Sequence, residues 1–160
     1  MSKSGKKALV TGACGFSGRY LINQLLSEGW EIKGTYLSSG KSDFIANLRE
    51  KVEFIYADLT DKKSLIPAVK DVDVVFHPAA LFSYSAPMDL FRDVNVEGTK
   101  NLIDVSIKAG VQKIVCWSSV ALYGTADPKW YKMPITEDQE LNPENEGRYD
   151  ISKREQEKAA

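Results

Sequence analysis

Tyr149 and Lys153, near the end of the chain, have the spacing and the chemistry of an acid–base pair. Residues four apart lie on one face of a helix, so these two side chains would be neighbours. A phenol has an ordinary pKa of about 10, which must fall by roughly 3 units for proton transfer at neutral pH. A nearby ammonium group favours the phenolate and contributes to that shift. Only Tyr149 among the seven tyrosines has a lysine four residues later, but this spacing also arises by chance.

A glycine-rich turn at residues 11–18 is the second stretch with chemical potential, and its glycines are spaced Gly12-x-x-Gly15-x-x-Gly18. It follows a short apolar run typical of a buried strand and precedes an amphipathic helix that ends at Gly29. The free N–H groups and the dipole of a helix N-terminus attract an anion, and glycines let a phosphate group approach the backbone. The alternative is a flexible glycine loop without a ligand.

The elements around these residues alternate between strands and helices. Strands are predicted at residues 8–10, 30–36, 52–56, 72–76 and 111–117. One predicted helix follows a cap at Thr60 or Asp61 and buries Leu65, Ile66 and Val69. A long helix is predicted from Pro87 to a stop at Gly110. A short helix is also predicted at 44–49, and a long loop at 124–147. This pattern predicts an α/β, doubly wound parallel sheet of the Rossmann type, whose ligands bind at the carboxyl ends of the strands.

Composition and charge limit the classes of function. The chain of 160 residues is 43% hydrophobic and 27% charged, with a net charge of −1, which argues against nucleic acid or an anionic membrane as a partner. We expect one domain over residues 1–160, in a cytoplasmic protein that acts on a small molecule. Cys14 and Cys116 are predicted to be reduced thiols, and with a single histidine they make no metal site.

Five motifs in consistent order resemble an extended short-chain dehydrogenase/reductase, nearest to the 3β-hydroxysteroid dehydrogenase and nucleotide-sugar epimerase branches. They are Thr11-Gly-x-x-Gly-x-x-Gly18, Asp58-Leu59, Asn95-Val96-x-Gly98-Thr99, Ser118-Ser119-x-x-x-Tyr123-Gly124 and Tyr149-x-x-x-Lys153. Members of this family continue beyond the helix that starts near Tyr149. The resemblance therefore implies an incomplete domain, truncated before the last strands and the substrate-binding portion, and inactive as an isolated fragment.

The resemblance also implies the catalytic roles. Tyr149 would be the acid–base, and Lys153 would lower its pKa together with the positive ring of an oxidised nicotinamide while holding the ribose. Ser119 would hydrogen-bond the substrate oxygen, and Ser118 would face away because neighbouring residues of a strand point oppositely. Asn95 would fix a local break in the long helix and help to order the site; a plain surface or core asparagine is the alternative.

The implied cofactor is NADP or NAD. Where an NAD-preferring enzyme ends its second strand with a carboxylate, this chain has Tyr36, followed by Ser38, Ser39 and Lys41, which favours NADP. Lys41 is otherwise a solvated turn residue. The predicted cofactor-binding residues are Gly12, Ala13, Gly15, Phe16, Ser17, Gly18, Tyr36, Lys41, Asp58, Leu59, Ala79, Ala80, Tyr149 and Lys153.

The function that follows is an NAD(P)-dependent oxidoreductase that transfers hydride between nicotinamide and a secondary alcohol or ketone. The alternatives are a nucleotide-sugar epimerase of the same family and a non-catalytic NAD(P)-binding sensor. A dehydratase is disfavoured because Val120 and Ala121 stand where that branch has an Asp-Glu pair. His77 is expected to be structural or to line the cofactor site.

Two further expectations concern partners. The expected substrate is a sterol-like or other hydrophobic alcohol, because four aromatic residues could line the substrate side of the site: Phe82, Tyr84, Trp130 and Tyr131. The long helix and the helix starting near Tyr149 resemble the pair that family members use for a two-fold interface, which implies a homodimer for the complete protein.

Overall fold

The computed structural model describes residues 5–37, 47–123, 134–140 and 147–160. Its centre is a five-stranded parallel sheet with the strand order β3-β2-β1-β4-β5. The strands are β1 (Lys7–Val10), β2 (Glu31–Tyr36), β3 (Val52–Tyr56), β4 (Val74–His77) and β5 (Lys113–Cys116). The order reverses between β1 and β4, as the predicted doubly wound fold requires, and this prediction is confirmed.

Two hydrophobic cores cover the two faces of this sheet. Ala8 and Val10 of β1 pack with Ile22 and Leu25 of helix α1 (Phe16–Ser27). Leu9, which points to the opposite face, packs with helix α2 (Lys62–Val69) and with helix α4 (Gly98–Ala109). Because successive strand residues alternate between faces, the short apolar run of β1 supplies both cores.

Helix α2 follows the prediction except at one position. Asp61 is its N-cap and accepts a hydrogen bond from the Lys63 amide at 3.0 Å. Leu65 and Val69 are buried as expected, whereas Ile66 is 57% exposed and Ala68 is buried instead. The prediction for Ile66 is wrong. Residues 65, 68 and 69 are spaced i, i+3 and i+4 and share the helix face that packs on the sheet, whereas Ile66 lies on another face.

The long helix predicted from Pro87 is interrupted. It begins as α3 (Met88–Phe91), passes through a π-helical segment (Arg92–Glu97) and continues as α4 to Ala109. Gly110 ends it with a φ of +78°, a left-handed conformation that glycine adopts readily. A π-helical segment widens the helix locally, and such segments occur frequently at functional sites.

The last described elements are a 3₁₀ turn (Val120–Tyr123) after β5 and helix α5 (Arg148–Ala159). Of the short helix predicted at 44–49, residues 47 and 48 form a 3₁₀ turn and residues 44–46 lie outside the described residues. Most of the predicted loop at 124–147 also lies outside them. Neither Cys14 nor Cys116 forms a disulfide within the described residues. No helix within the described ranges is long and apolar enough to span a bilayer.

Candidate active site

The glycine-rich turn connects β1 to α1 at the point where the strand order reverses. Gly12 has a φ of +60°, and a side chain there would meet Ala79 at 3.1 Å. At Gly18 a Cβ would lie 3.0 Å from the Ala13 Cα and closer still to the Gly12 carbonyl, so glycine is required for the helix to lie against the turn. The turn is therefore a rigid bend, which does not fit the alternative of a flexible loop.

The first turn of α1 is open to a ligand. Gly15 is its N-cap and supplies no side chain to the helix, so the first-turn N–H groups are available to an anion. Phe16 and Ser17 are exposed at this end, and Ala13 is buried beneath it. The chemistry of these groups fits the pyrophosphate of a dinucleotide, as predicted for the six residues of the turn.

The other predicted cofactor residues occupy the carboxyl ends of neighbouring strands. Tyr36 ends β2 and stacks edge-to-face on Tyr56, with ring centroids 6.1 Å apart. After β3, the Asp58 carboxylate accepts hydrogen bonds from the Thr60 amide and hydroxyl, each at 2.8 Å. Leu59 is buried beside it, and Ala79 and Ala80 follow β4. Lys41, like Ser38 and Ser39, lies outside the described residues.

Tyr149 and Ser119 come together across the site. Ser119 follows β5, Tyr149 lies in the first turn of α5, and the Ser119 hydroxyl lies near enough to the phenol to influence its pKa. Partial burial raises the pKa of Tyr149, and the Asp150 carboxylate acts in the same direction, while the Ser119 hydroxyl acts against them. Ser118 is exposed and donates to Glu157 at 3.3 Å, so it faces away as predicted.

Lys153 occupies a different position from the one that its spacing suggests. The side chain is only 2% exposed, and its ammonium donates to the Trp117 carbonyl and to Gln156 Oε1. Burial lowers the pKa of Lys153. In this arrangement burial raises the pKa of the Tyr149 phenol, and the Lys153 ammonium is directed to these two oxygens. The lowering expected from Lys153 together with an oxidised nicotinamide stays a prediction.

Asn95 lies in the π-helical segment and is fully buried. Its amide accepts from the Leu81 N–H at 2.6 Å, donates to the Leu81 carbonyl at 3.2 Å and donates to the Ser152 hydroxyl at 2.9 Å. Ser152 in turn donates to the Tyr149 carbonyl at 2.7 Å. Asn95 thus joins the segment after β4 to the first turns of α5, which places it as a positioning residue behind Tyr149.

One ion pair and one hydrogen bond to a backbone carbonyl reinforce the docking of α5. Arg92, in the π-helical segment, donates to both carboxylate oxygens of Glu155 at 2.9 and 2.8 Å. Arg148 donates to the Ala86 carbonyl at 3.0 Å. The orientation of the Tyr149 helix is therefore held by contacts on either side of the phenol.

His77 is buried at the end of β4 between two threonines. Its Nδ1 lies 2.7 Å from the Thr11 hydroxyl and its Nε2 lies 2.9 Å from the Thr99 hydroxyl. Burial, with a smaller effect of the Lys153 charge, lowers the pKa of His77 to about 4. A neutral imidazole with both nitrogens engaged supports the structural role that the sequence predicts.

One aromatic side chain, Phe82, adjoins the Tyr149 ring, and a second, Tyr84, stacks on Phe82. Phe82 stacks edge-to-face on Tyr149 with centroids 5.1 Å apart and on Tyr84 at 5.4 Å. Phe82 is 62% exposed and Tyr84 is 93% exposed, so both present apolar surface to solvent beside the phenol. Trp130 and Tyr131, predicted to join them, lie outside the described residues.

Sequence reasoning missed Gln156 and Ser152, and it quoted Thr99 in a motif without a role. A signal was available for the first two: both lie within three residues of Lys153 on α5, on the side that faces the sheet.

Within the described parts of the chain, no three histidine, cysteine, aspartate or glutamate side chains cluster as metal ligands would.

Comparison with known proteins places this arrangement in a family. Residues 8–160 match the model of the NAD dependent epimerase/dehydratase family. The bovine sterol-4-alpha-carboxylate 3-dehydrogenase (decarboxylating) is 33% identical over 138 residues, which cover 81% of this chain and 37% of the bovine enzyme. The UDP-glucose 4-epimerase of Mycolicibacterium smegmatis is 38% identical over 146 residues, covering 86% of this chain and 45% of that enzyme.

Solved structures agree with these relatives. A short-chain dehydrogenase/reductase superfamily protein from Agrobacterium tumefaciens, crystallised with bound NAD, superposes with a TM-score of 0.80 at 32% identity. The superposition covers 96% of this chain and 43% of that protein. The chain thus spans less than half the length of each of these three proteins. With the glycine turn at the switch point and the Ser119–Tyr149 pair beside it, the chain belongs to the NAD-dependent epimerase/dehydratase family.

Proposed function

We propose that the complete protein is a nicotinamide-dependent oxidoreductase that interconverts a secondary alcohol and a ketone. The observation that carries the proposal is the nearness of the Ser119 hydroxyl to the Tyr149 phenol, at the sheet edge that also holds the glycine turn. A phenol beside a second hydroxyl can give a proton to a substrate oxygen or take one from it, provided that its pKa is brought down.

Each residue then has a defined task. Tyr149 exchanges the proton with the substrate oxygen, and Ser119 donates a hydrogen bond to that oxygen as charge develops on it. Lys153 contributes positive charge on the far side of the site, and its donors can hold ribose hydroxyls. The turn at residues 11–18 binds the pyrophosphate, and the nicotinamide, when bound, supplies or accepts the hydride.

The second candidate function is a nucleotide-sugar epimerase of the same family. Its support is the similarity to the mycobacterial UDP-glucose 4-epimerase. A cofactor sensor has no need of a phenol paired with Ser119, which disfavours that alternative. A dehydratase is disfavoured because Val120 and Ala121, which follow Ser119, carry no group that transfers a proton.

An absorbance assay on the complete protein separates the two enzymatic functions. With a ketone panel and reduced cofactor, a dehydrogenase consumes the nicotinamide absorbance in step with substrate. An epimerase interconverts nucleotide sugars with no net change in cofactor redox state. Absence of both activities across apolar alcohols, ketones and nucleotide sugars would contradict the proposal.

The substrate is best matched by a hydrophobic, sterol-like alcohol. Phe82 and Tyr84 provide an apolar wall directly beside the Tyr149 ring. The similarity to the bovine sterol dehydrogenase supports the same class. The net charge of −1 and the low cysteine count, two in 160 residues, favour a cytoplasmic protein that acts on small molecules and does not bind nucleic acid.

We favour NADP over NAD as the cofactor. Tyr36 ends β2 without a carboxylate that would repel a 2′-phosphate, and Lys41 follows five residues later in the sequence. Fluorescence titration of the complete protein with both reduced cofactors should show tighter NADPH binding, and Lys41→Gln should weaken that preference. NADH binding tighter by about tenfold, or about 1.4 kcal/mol, would show that NAD is the preferred cofactor.

We also propose that the complete protein is a homodimer. The π-helical segment and the first turn of α4 form, with α5, an open surface groove of about 360 Å³. It is lined by Arg92, Val96, Glu97, Lys100, Glu155, Lys158 and Ala159. A two-fold partner would cover this face with the same helices. Light scattering should give a dimer mass, and a monomer at high protein concentration would contradict the proposal.

A further inference from the structure

Gln156 lies directly behind the Lys153 ammonium. It is 2% exposed and sits three residues after Lys153 on α5. Its Oε1 accepts from the Lys153 Nζ, and its Nε2 donates to the Thr99 hydroxyl at 2.8 Å. The side-chain amide therefore bridges the lysine charge to a buried threonine 57 residues earlier in the sequence.

Thr99 determines which end of this amide faces the lysine. The Thr99 hydroxyl donates its single proton to the Asn95 carbonyl at 2.7 Å, so its oxygen can only accept from other neighbours. Gln156 Nε2 and His77 Nε2 both lie within hydrogen-bonding distance of that oxygen, at 2.8 and 2.9 Å. Both nitrogens must therefore be donors.

The same reasoning assigns the tautomer of His77. With a proton on Nε2, the neutral ring leaves Nδ1 as the acceptor for the Thr11 hydroxyl at 2.7 Å. The low pKa of His77, about 4, agrees with a neutral ring. The 3.5 Å approach of Gln156 Nε2 to His77 Nε2 is then a contact between two donors. The Thr11 hydroxyl, the His77 Nε2–H, the Thr99 hydroxyl and one Gln156 N–H then each have one acceptor.

We propose that Gln156 is a positioning residue for Lys153, aimed at the ammonium by the hydrogen-bonded chain Thr11–His77–Thr99. If the amide were reversed, it would present N–H donors to a cation and leave the buried ammonium with the Trp117 carbonyl alone. The oriented Oε1 keeps Lys153 charged in a buried site and holds it in place. The inference rests on the proposed function, in which the Lys153 charge supports Tyr149.

The charged and titratable groups around Lys153 come from three elements. His77 ends β4, Cys116 ends β5 and Glu157 lies on α5. The neutral His77 adds no charge, and the thiol and the carboxylate act to raise the lysine pKa against the effect of burial. Gln156 adds a neutral side-chain acceptor to these groups. Replacing it by an apolar or a charged side chain should therefore shift the Lys153 pKa in a predictable direction.

Two substitutions in the complete protein test this. Gln156→Met keeps the volume and removes both hydrogen bonds, and Gln156→Glu keeps an acceptor for Lys153 with added negative charge. We expect the Lys153 pKa to fall in Gln156→Met and to rise in Gln156→Glu. NMR of isotope-labelled lysine measures this pKa, and the Lys153→Met variant assigns the signal. Turnover should fall about tenfold in Gln156→Met and be largely retained in Gln156→Glu. Gln24→Met makes the same change at an exposed glutamine and should alter neither value.

Equal shifts of the Lys153 pKa in the same direction in both variants, or none in either, would overturn the proposal. If Gln156→Met does not fold, two substitutions of Thr99 replace it as the test. Thr99→Val removes the hydroxyl that orients the amide, whereas Thr99→Ser keeps it. Only the valine variant should lower the Lys153 pKa. The NMR result stands even in a protein that turns over no substrate. Failure of the proposed function and failure of the Gln156 assignment are therefore distinguishable.

Discussion

Replacing Tyr149 by phenylalanine is expected to lower the kcat of the complete protein by a factor on the order of a thousand, while cofactor still binds. The phenylalanine keeps the edge-to-face contact with Phe82 but loses the hydroxyl that lies near Ser119. Without that hydroxyl the proposed acid–base group is missing from the site. Steady-state kinetics and a cofactor titration on the same preparation measure the two effects separately.

Tyr20→Phe is the matched control, since it removes a phenol hydroxyl from an exposed tyrosine of α1. Its turnover should equal that of the wild type. Lys153→Met should weaken both turnover and cofactor affinity, because its ammonium serves both in the proposed mechanism. Near-normal turnover of Tyr149→Phe at any pH would exclude Tyr149 as the acid–base.

Acidification from pH 6.5 towards pH 4 should lower the free energy of unfolding through His77. The pKa of His77 is about 4 in the folded protein and 6.5 in the unfolded chain, so the unfolded chain binds a proton first. The group therefore contributes stability that is fully present above pH 6.5 and is lost as the pH falls through this window. A difference of about 2.5 units corresponds to roughly 3 kcal/mol at most.

His77→Asn removes the titrating ring and should flatten the dependence of the free energy of unfolding on pH between 6.5 and 4, as measured by urea denaturation. The paired carboxylates of Asp104 and Glu155 have lowered pKa values, so their contribution is lost only on further acidification. Identical slopes in wild type and variant would show that His77 has the same pKa in the folded and unfolded protein, contrary to the lowered pKa.

The amino-acid sequence by itself determined the strands and the glycine turn, because both depend on local patterns. The alternation of Ala8, Leu9 and Val10 feeds two opposite cores, and a bend with a positive φ at Gly12 needs no distant residue to specify it. Ser119 and Tyr149 could be selected from motif spacing, and the structure brings their hydroxyls together.

Only the tertiary structure decided how the site is supported. Lys153 was assigned to Tyr149 from a four-residue spacing, yet its ammonium is directed to Trp117, 36 residues earlier, and to Gln156. The resemblance implied a break at Asn95, but only the structure shows its form, a π-helical segment, and its partner Ser152, 57 residues later. Spacing along a helix shows which side chains are adjacent, but a buried donor bonds to whichever acceptor the fold brings within about 3 Å. Trp117 and Ser152 lie far in sequence from the side chains that bond to them, so these partners depend on how α5 packs against the rest of the fold.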